Sequence, residues 1–317
     1  MKNEELSIDY YKGNPMAFIE DYFQGHDEFK KLKVGLLEIY PFERQVLESF
    51  FSPEKIFITK SRQMFFSTMI LKYLFYQIVF GEEQNILVIT ANKAMAINLK
   101  NRLMTTVDRL PEYLKPEFKY NNQLQLKTKK CRIEFAAPSA NAGCSSMFNT
   151  LIIDETAYLN NLSNIWMAIM PALYPDGKII MGTSLNNSNE DFCKFYEGVL
   201  KPENQWKHIY LHWSENPLFN QNLTYDEANK PSNDWYVSQC EILQSKHVIN
   251  QELDCIYDRD LFNKKQKDRI ITFRVDEKLE KQLSALILKR TMSEGKSFNI
   301  SDYLRELIQK NMVENGL

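Results

Sequence analysis

Three short stretches carry residue types able to handle a phosphate chain and a metal ion. The first, KSRQMFFST over residues 60–68, groups Lys60 and Arg62 with the hydroxyls of Ser67 and Thr68, between an apolar run and a helical pattern starting near Ser67. Such a strand-to-helix junction offers an anion unsatisfied N–H groups and the positive end of a helix dipole. The second, LIIDETAYL over residues 151–159, sets two acids directly after an apolar run. An Asp at the C-terminal edge of a strand can hold the water shell of a Mg2+ ion, and a following Glu can orient or deprotonate an attacking water. Asp154 can also serve there simply as a helix N-cap. The third, GTSLN over residues 182–186, puts the Thr183 hydroxyl at another strand end, where it could sense a terminal phosphate or merely mark a turn.

The elements that must position these groups are legible as apolar runs between longer helical patterns. They are KIFIT (55–59), NILVIT (85–90), RIEFAA (132–137), TLIID (150–154) and KIIMG (178–182). Continuous apolar strands, rather than alternating ones, fit a parallel sheet covered by helices on both faces. The expected architecture is therefore a parallel α/β sandwich. The expected domains are an N-terminal extension (1–38), a core (39–200), a small subdomain or lid (201–260) rich in Asn, Pro and Trp, a basic linker (261–268) and a terminal module (269–317). Trp206, Trp213 and Trp235 read as packing anchors rather than as platforms for stacked bases.

Composition narrows the function classes. With 317 residues, 44% of them hydrophobic, the chain can bury one large core or two smaller ones. A net charge of −2 excludes a general nucleic-acid coat protein, but the charge is uneven along the chain. From residue 261 onward there are 12 Lys and Arg against 8 Asp and Glu, or +4, whereas the first 260 residues hold 27 against 33, or −6. The two ends look built for different partners. The five scattered cysteines lack zinc or disulfide spacing, which fits reduced thiols. The densest apolar stretch, residues 69–80, is broken by Lys72 and Gln77 and is too short for a membrane span.

Taken in order, the motifs from about residue 39 to 260 resemble the ATPase half of a large terminase subunit, the DNA-packaging motor of tailed bacteriophages and herpesviruses, closest to the myovirus branch. PFERQVLESF resembles the adenine-binding segment of that family, SRQ with the following Ser-Thr its Walker A loop, LIIDE its Walker B with the catalytic Glu, and GTSLN its coupling motif. The resemblance implies a P-loop NTPase-like sheet sandwiched by helices, with ATP and Mg2+ as cofactors. It puts Phe42 and Glu43 at the base, Lys60, Arg62 and Gln63 at the phosphates, and the hydroxyls of Ser67 and Thr68 nearby, with Ser67 on the metal. Asp154 would hold the metal, Glu155 would activate water, Thr183 would couple hydrolysis to movement, and Arg62 would offset charge on the γ-phosphoryl group. The implied partners are double-stranded DNA, a portal and a small terminase subunit, and the implied setting is the cytoplasm of an infected bacterial host.

The departures from that pattern are specific. Phe65 stands where the family usually has Gly, and Phe66 where many members have the phosphate-binding Lys. Lys60, at the front of the loop, is placed to supply the missing charge. Glu43 replaces a Gln, exchanging an amide for a group that only accepts hydrogen bonds when ionised. Cys144 and Ser145 fall where Arg-Gly is common. Hydrolysis is expected, but slow or dependent on partners. The alternative is a sequence-specific DNA-binding regulator or recruitment factor whose nucleotide domain turns over weakly.

The match ends near Asp260 with 57 residues left, too few for the nuclease domain that normally follows, so nuclease activity is not expected. Instead Ile271, Phe273 and Val275 alternate with Ile270, Thr272 and Arg274, the period-two pattern of a half-buried strand, and two amphipathic helical patterns follow. One strand plus two helices resembles the ribbon-helix-helix DNA-binding module. A lone strand leaves its backbone groups unpaired, so the module implies a homodimer. The resemblance assigns Ile270, Thr272 and Arg274 to base reading and Asn299 and Ser301 to a helix cap or a DNA phosphate.

Overall fold

The computed structural model describes residues 2–26, 34–138 and 147–258. The terminal module, with Ile270, Thr272, Arg274, Asn299 and Ser301, lies outside the described residues, as do Cys144 and Ser145. In chain order the helices are α1 (Lys2–Gly13), α2 (Pro15–Tyr22), α3 (Pro41–Phe50), α4 (Phe66–Phe80), α5 (Lys93–Val107), α6 (Leu162–Ile169), α7 (Glu190–Val199), α8 (Asp234–Leu243) and α9 (Lys246–Glu252). Among the described residues two short ribbons are separate from the main sheet: β1 (Gln24–His26) with β2 (Val34–Leu36), and β11 (Thr224–Tyr225) with β12 (Pro231–Ser232). The main sheet is built from β3 (Lys55–Lys60), β4 (Gln84–Ile89), β5 (Tyr120–Asn121), β6 (Gln125–Lys127), β7 (Cys131–Ala136), β8 (Phe148–Asp154), β9 (Leu173–Thr183) and β10 (Trp206–Leu211).

Among the described residues the main sheet has eight strands in the order β10-β3-β9-β8-β4-β7-β6-β5. From β10 to β7 every pairing is parallel, while β6 and β5 add an antiparallel edge. All five apolar runs expected to be strands lie in this sheet. The sheet also takes in β10, so it continues past residue 200, where the core was expected to end. The N-terminal extension is likewise part of the core. Phe18 and Ile19 of α2 are fully buried, and the Phe18 ring stacks on Phe75 of α4 at 4.9 Å.

Successive side chains of a strand point to opposite faces, and here both faces are covered. Ile56, Ile58, Val88, Ile133, Ile152 and Ile180 pack against α2, α3, α4 and α5. Phe57, Leu87, Ile89, Leu151, Ile153, Ile179 and Met181 pack against α6 and α7. Helix α4 (FSTMILKYLFYQIVF) is apolar nearly all round because it sits inside the first of these layers. A third cluster, Trp213, Phe219, Tyr236 and Leu253, forms a separate small core for the segment after β10. There Trp213 stacks on Tyr236 at 5.0 Å and Trp235 on Phe219 at 4.3 Å, so both act as packing anchors.

Register brings the chemistry-bearing ends level. Thr59 pairs with Thr183, Asp154 with Gly182, and Leu211 with Lys60. Lys60, Asp154 and Thr183 therefore share the C-terminal edge of the sheet, the edge at which open α/β sheets bind ligands.

Candidate functional site

The turn after β3 has no glycine, yet its backbone takes left-handed conformations at Gln63 (φ 60°) and Phe65 (φ 54°). For side chains with a Cβ this costs about 1 kcal/mol or more each, and such strain persists only where the surroundings enforce it. They do so here. Ser61 N donates to Leu211 O at 2.8 Å and Arg62 N to Glu252 O at 2.7 Å. The Ser61 hydroxyl donates to Leu253 O at 2.5 Å and accepts from Trp213 N at 2.9 Å. Helix α4 begins directly after the turn without a side-chain cap, leaving its first N–H groups for an anion.

Phe66, at the position of the usual loop lysine, turns its ring into the core and is only 2% exposed. It lies beneath Gly182 of β9, where a Cβ would come within 2.5 Å of the ring carbons. Neither Phe66 nor its neighbour closes the gap between the turn and the acids. Ser67 Oγ donates to Asp154 Oδ2 at 2.6 Å, so the two stretches are in direct contact.

Asp154 is buried, and its second oxygen, Oδ1, has no hydrogen-bond partner among the described residues. Burial, with the neighbouring Glu155 charge, pushes its carboxyl up to about 6. A buried oxygen left unpaired next to a serine hydroxyl is a donor set suited to a hard cation such as Mg2+. Glu155 is also left-handed (φ 54°). Its Oε1 accepts from Lys60 Nζ at 2.8 Å and its Oε2 lies 3.5 Å from Thr183 Oγ1. Burial works against the Lys60 ammonium, but the attraction of Glu155, Asp154 and Glu252 outweighs it and holds Lys60 above the usual lysine range. Thr183 is buried, accepts from Ala157 N at 3.1 Å and donates to Ser184 O at 2.6 Å.

A cleft of about 150 Å³ opens between these elements, lined by Lys60, residues 63–68, Arg102 and Glu155. Lys60, Gln63, Ser67, Thr68 and Glu155 of the expected site all border it. Arg62 is not among its lining residues; what ties Arg62 into the site is its backbone bond to Glu252. Arg102 of α5, absent from the sequence reading, does border it, and its Nη2 donates to Thr68 Oγ1 at 3.1 Å. No local motif surrounds Arg102; only the packing of α5 beside α4 brings it to the cleft.

Glu43 departs from its expected place at a base. It is 2% exposed and pairs with Lys72 of α4, itself 1% exposed, at 3.0 Å. It also accepts from Tyr40 N at 3.0 Å, capping its own helix. Its carboxylate is thus engaged with Lys72 and the Tyr40 backbone, and Glu43 holds α3 onto α4. Burial drives the Glu43 carboxyl up and the Lys72 ammonium down, and their mutual attraction opposes both shifts. Phe42 is buried. With Tyr40 and Phe65 it forms a slab of nearly parallel rings whose centroids lie 6.0–6.4 Å apart.

A mostly parallel sheet is covered by helices on both faces, with the turn after β3 at its C-terminal edge. The fold is similar to the large terminase ATPase domain of Thermus phage P74-26, at 15% identity over 68% of this chain and 93% of that one, with a TM-score of 0.51. It is also similar to the large terminase of bacteriophage HK97, at 12% identity over 77% of this chain, with a TM-score of 0.56. This chain covers 54% of the HK97 protein's length. A large terminase from a thermophilic bacteriophage in complex with ADP matches at 12% identity over 70% of this chain and 57% of its own, with a TM-score of 0.51. No protein-family model matches the chain. Among the described residues no helix is long and apolar enough to cross a membrane.

Proposed function

We propose that the protein is an ATP-hydrolysing subunit of the large-terminase type, which couples turnover to movement of double-stranded DNA. The observation that carries this reading is the 2.6 Å bond from Ser67 to Asp154 with the buried, unpaired Asp154 Oδ1 beside it. Ser67 and Asp154 would hold Mg2+, which when bound would offset the negative charge of the phosphates. Lys60, Gln63 and the first N–H groups of α4 bind the phosphate chain, and the slab of Tyr40, Phe42 and Phe65 gives the base an apolar wall. Glu155 orients water for attack on the terminal phosphorus and takes its proton as the bond to the leaving phosphate oxygen breaks. Thr183, bonded to the segment after Glu155, reports the change to β9.

DNA as substrate, a portal and a small terminase subunit as partners, action in the infected host cell, and a dimer-forming DNA-binding module over residues 269–317 belong to the same proposal. They rest on the motif order and on the pattern of the terminal segment. The ion pair of Lys60 with Glu155 supports a second reading, in which nucleotide binds but turns over weakly and the chain acts as a DNA-bound recruitment factor.

The test is an ATPase assay on the purified full-length protein with and without duplex DNA. Turnover that rises with DNA supports the motor. Tight ATP binding without turnover supports the second reading, and absence of both ATP binding and turnover removes the two together.

A further inference from the structure

The loop that should hold the phosphates has given its usual lysine position to Phe66, whose ring is buried under Gly182. A nucleotide phosphate chain carries several negative charges, and the cleft is already bordered by the Glu155 carboxylate, with that of Asp154 bonded to Ser67 of its lining. Among the described residues two cationic side chains line the cleft, Lys60 and Arg102. Lys60 is engaged with Glu155 at 2.8 Å. Arg102 comes from a different element, α5, and its Nη2 donates to Thr68 Oγ1 at 3.1 Å. That bond fixes a planar guanidinium beside the first turn of α4, where the uncapped N–H groups also favour an anion.

We propose that Arg102 is a phosphate-gripping residue that replaces the missing loop lysine and binds the α- and β-phosphate oxygens of the nucleotide. The inference rests on the nucleotide reading of the same cleft. Ser67 faces Asp154, so a metal held by these two residues would draw phosphate oxygens to that side of α4. Thr68, the next residue, faces α5, and the oxygens that Arg102 meets are those on that other side. A guanidinium presents its donors in a planar, fixed fork that matches the geometry of a phosphate. Because ADP keeps both of these phosphates, Arg102 contributes binding that is equal for substrate and product.

The experiment measures ATP and ADP affinity by titration calorimetry on full-length wild type, Arg102→Ala and Arg102→Lys, with kcat and KM for each and the melting temperature of the ligand-free proteins. Arg102→Ala should weaken ATP and ADP alike by roughly tenfold or more. Its KM should rise with little change in kcat, the mark of lost uniform binding. Arg102→Lys should recover part of both affinities, and its ligand-free melting temperature should match wild type. Wild-type affinity for both nucleotides in both variants overturns the proposal. So does a loss confined to ATP, which would put Arg102 on the γ-phosphate, or a loss in Arg102→Ala that Arg102→Lys leaves uncorrected. A wild type that binds neither nucleotide removes the nucleotide reading itself, whereas a wild type that binds and variants that bind equally remove only the role of Arg102.

Discussion

Lys60 Nζ sits 2.8 Å from Glu155 Oε1, an ion pair that reaches from the end of β3 over β9 to the end of β8. The residue proposed to activate water is thus held, in this state, by the residue proposed to bind phosphate. Neutralising Glu155 should separate the two roles. Glu155→Gln is expected to lower turnover by about 10²- to 10⁴-fold while ATP affinity holds or rises, because Lys60 loses its anionic partner. Single-turnover hydrolysis alongside calorimetric ATP binding checks this, and undiminished turnover would take Glu155 out of the chemistry.

Gly182 has no room for a methyl group, since a Cβ would meet three Phe66 ring carbons at 2.5–2.8 Å. Gly182→Ala should destabilise the fold by about 1–3 kcal/mol through overpacking. Shrinking the ring in the same chain, with Phe66→Leu, should return part of that loss. Urea unfolding of the single and double variants decides the point; additive losses would mean that the two residues do not press on one another.

The buried Glu43–Lys72 pair makes a different kind of prediction. Lys72→Met leaves a buried carboxylate without its cation and should destabilise by about 3–5 kcal/mol. Adding Glu43→Gln removes that charge and should restore most of the stability. The single variant should also gain stability as pH falls, because burial already pushes the Glu43 carboxyl up. Denaturant midpoints at pH 5 and pH 7.5 would reveal a pH-independent deficit if the pair were incidental.

Asp154 should make stability fall with rising pH in the absence of metal. Its carboxyl is pushed up to about 6, above the ordinary aspartate value, so the folded protein holds this proton more tightly than the unfolded chain does. The contribution is complete below about pH 4 and is lost as pH rises through about 6. Asp154→Asn should flatten this slope and stabilise the metal-free protein at pH 7 by about 1–3 kcal/mol. Metal-dependent nucleotide binding should disappear in the same variant. Chemical denaturation with a chelator present measures the first effect, and a variant no more stable than wild type at pH 7 would contradict it.

What the sequence made legible follows from what each feature depends on. The five inner strands announce themselves because burial on both faces requires continuous apolar runs, as in KIFIT and TLIID. The acids after β8 and the hydroxyls opening α4 are legible because their spacing is local. The antiparallel edge of β5 and β6 is not, since short strands at an exposed edge alternate weakly. Nor is the burial of Phe18 and Ile19, which depends on a groove made by a distant helix. Glu43 looked available because adjacent residues cannot disclose a partner 29 positions away. Arg102 stayed hidden for the same reason, 34 positions from Thr68.

The backbone stitching of the turn has a mechanical consequence. Arg62 N is bonded to Glu252 O, the Ser61 hydroxyl to Leu253 O, and the Tyr158 hydroxyl to the Glu252 carboxylate at 2.6 Å. The end of α9 is therefore riveted both to the loop after β3 and to the segment after β8. Displacing that loop would therefore strain the end of α9 and, through Leu253, the small aromatic core around Trp213.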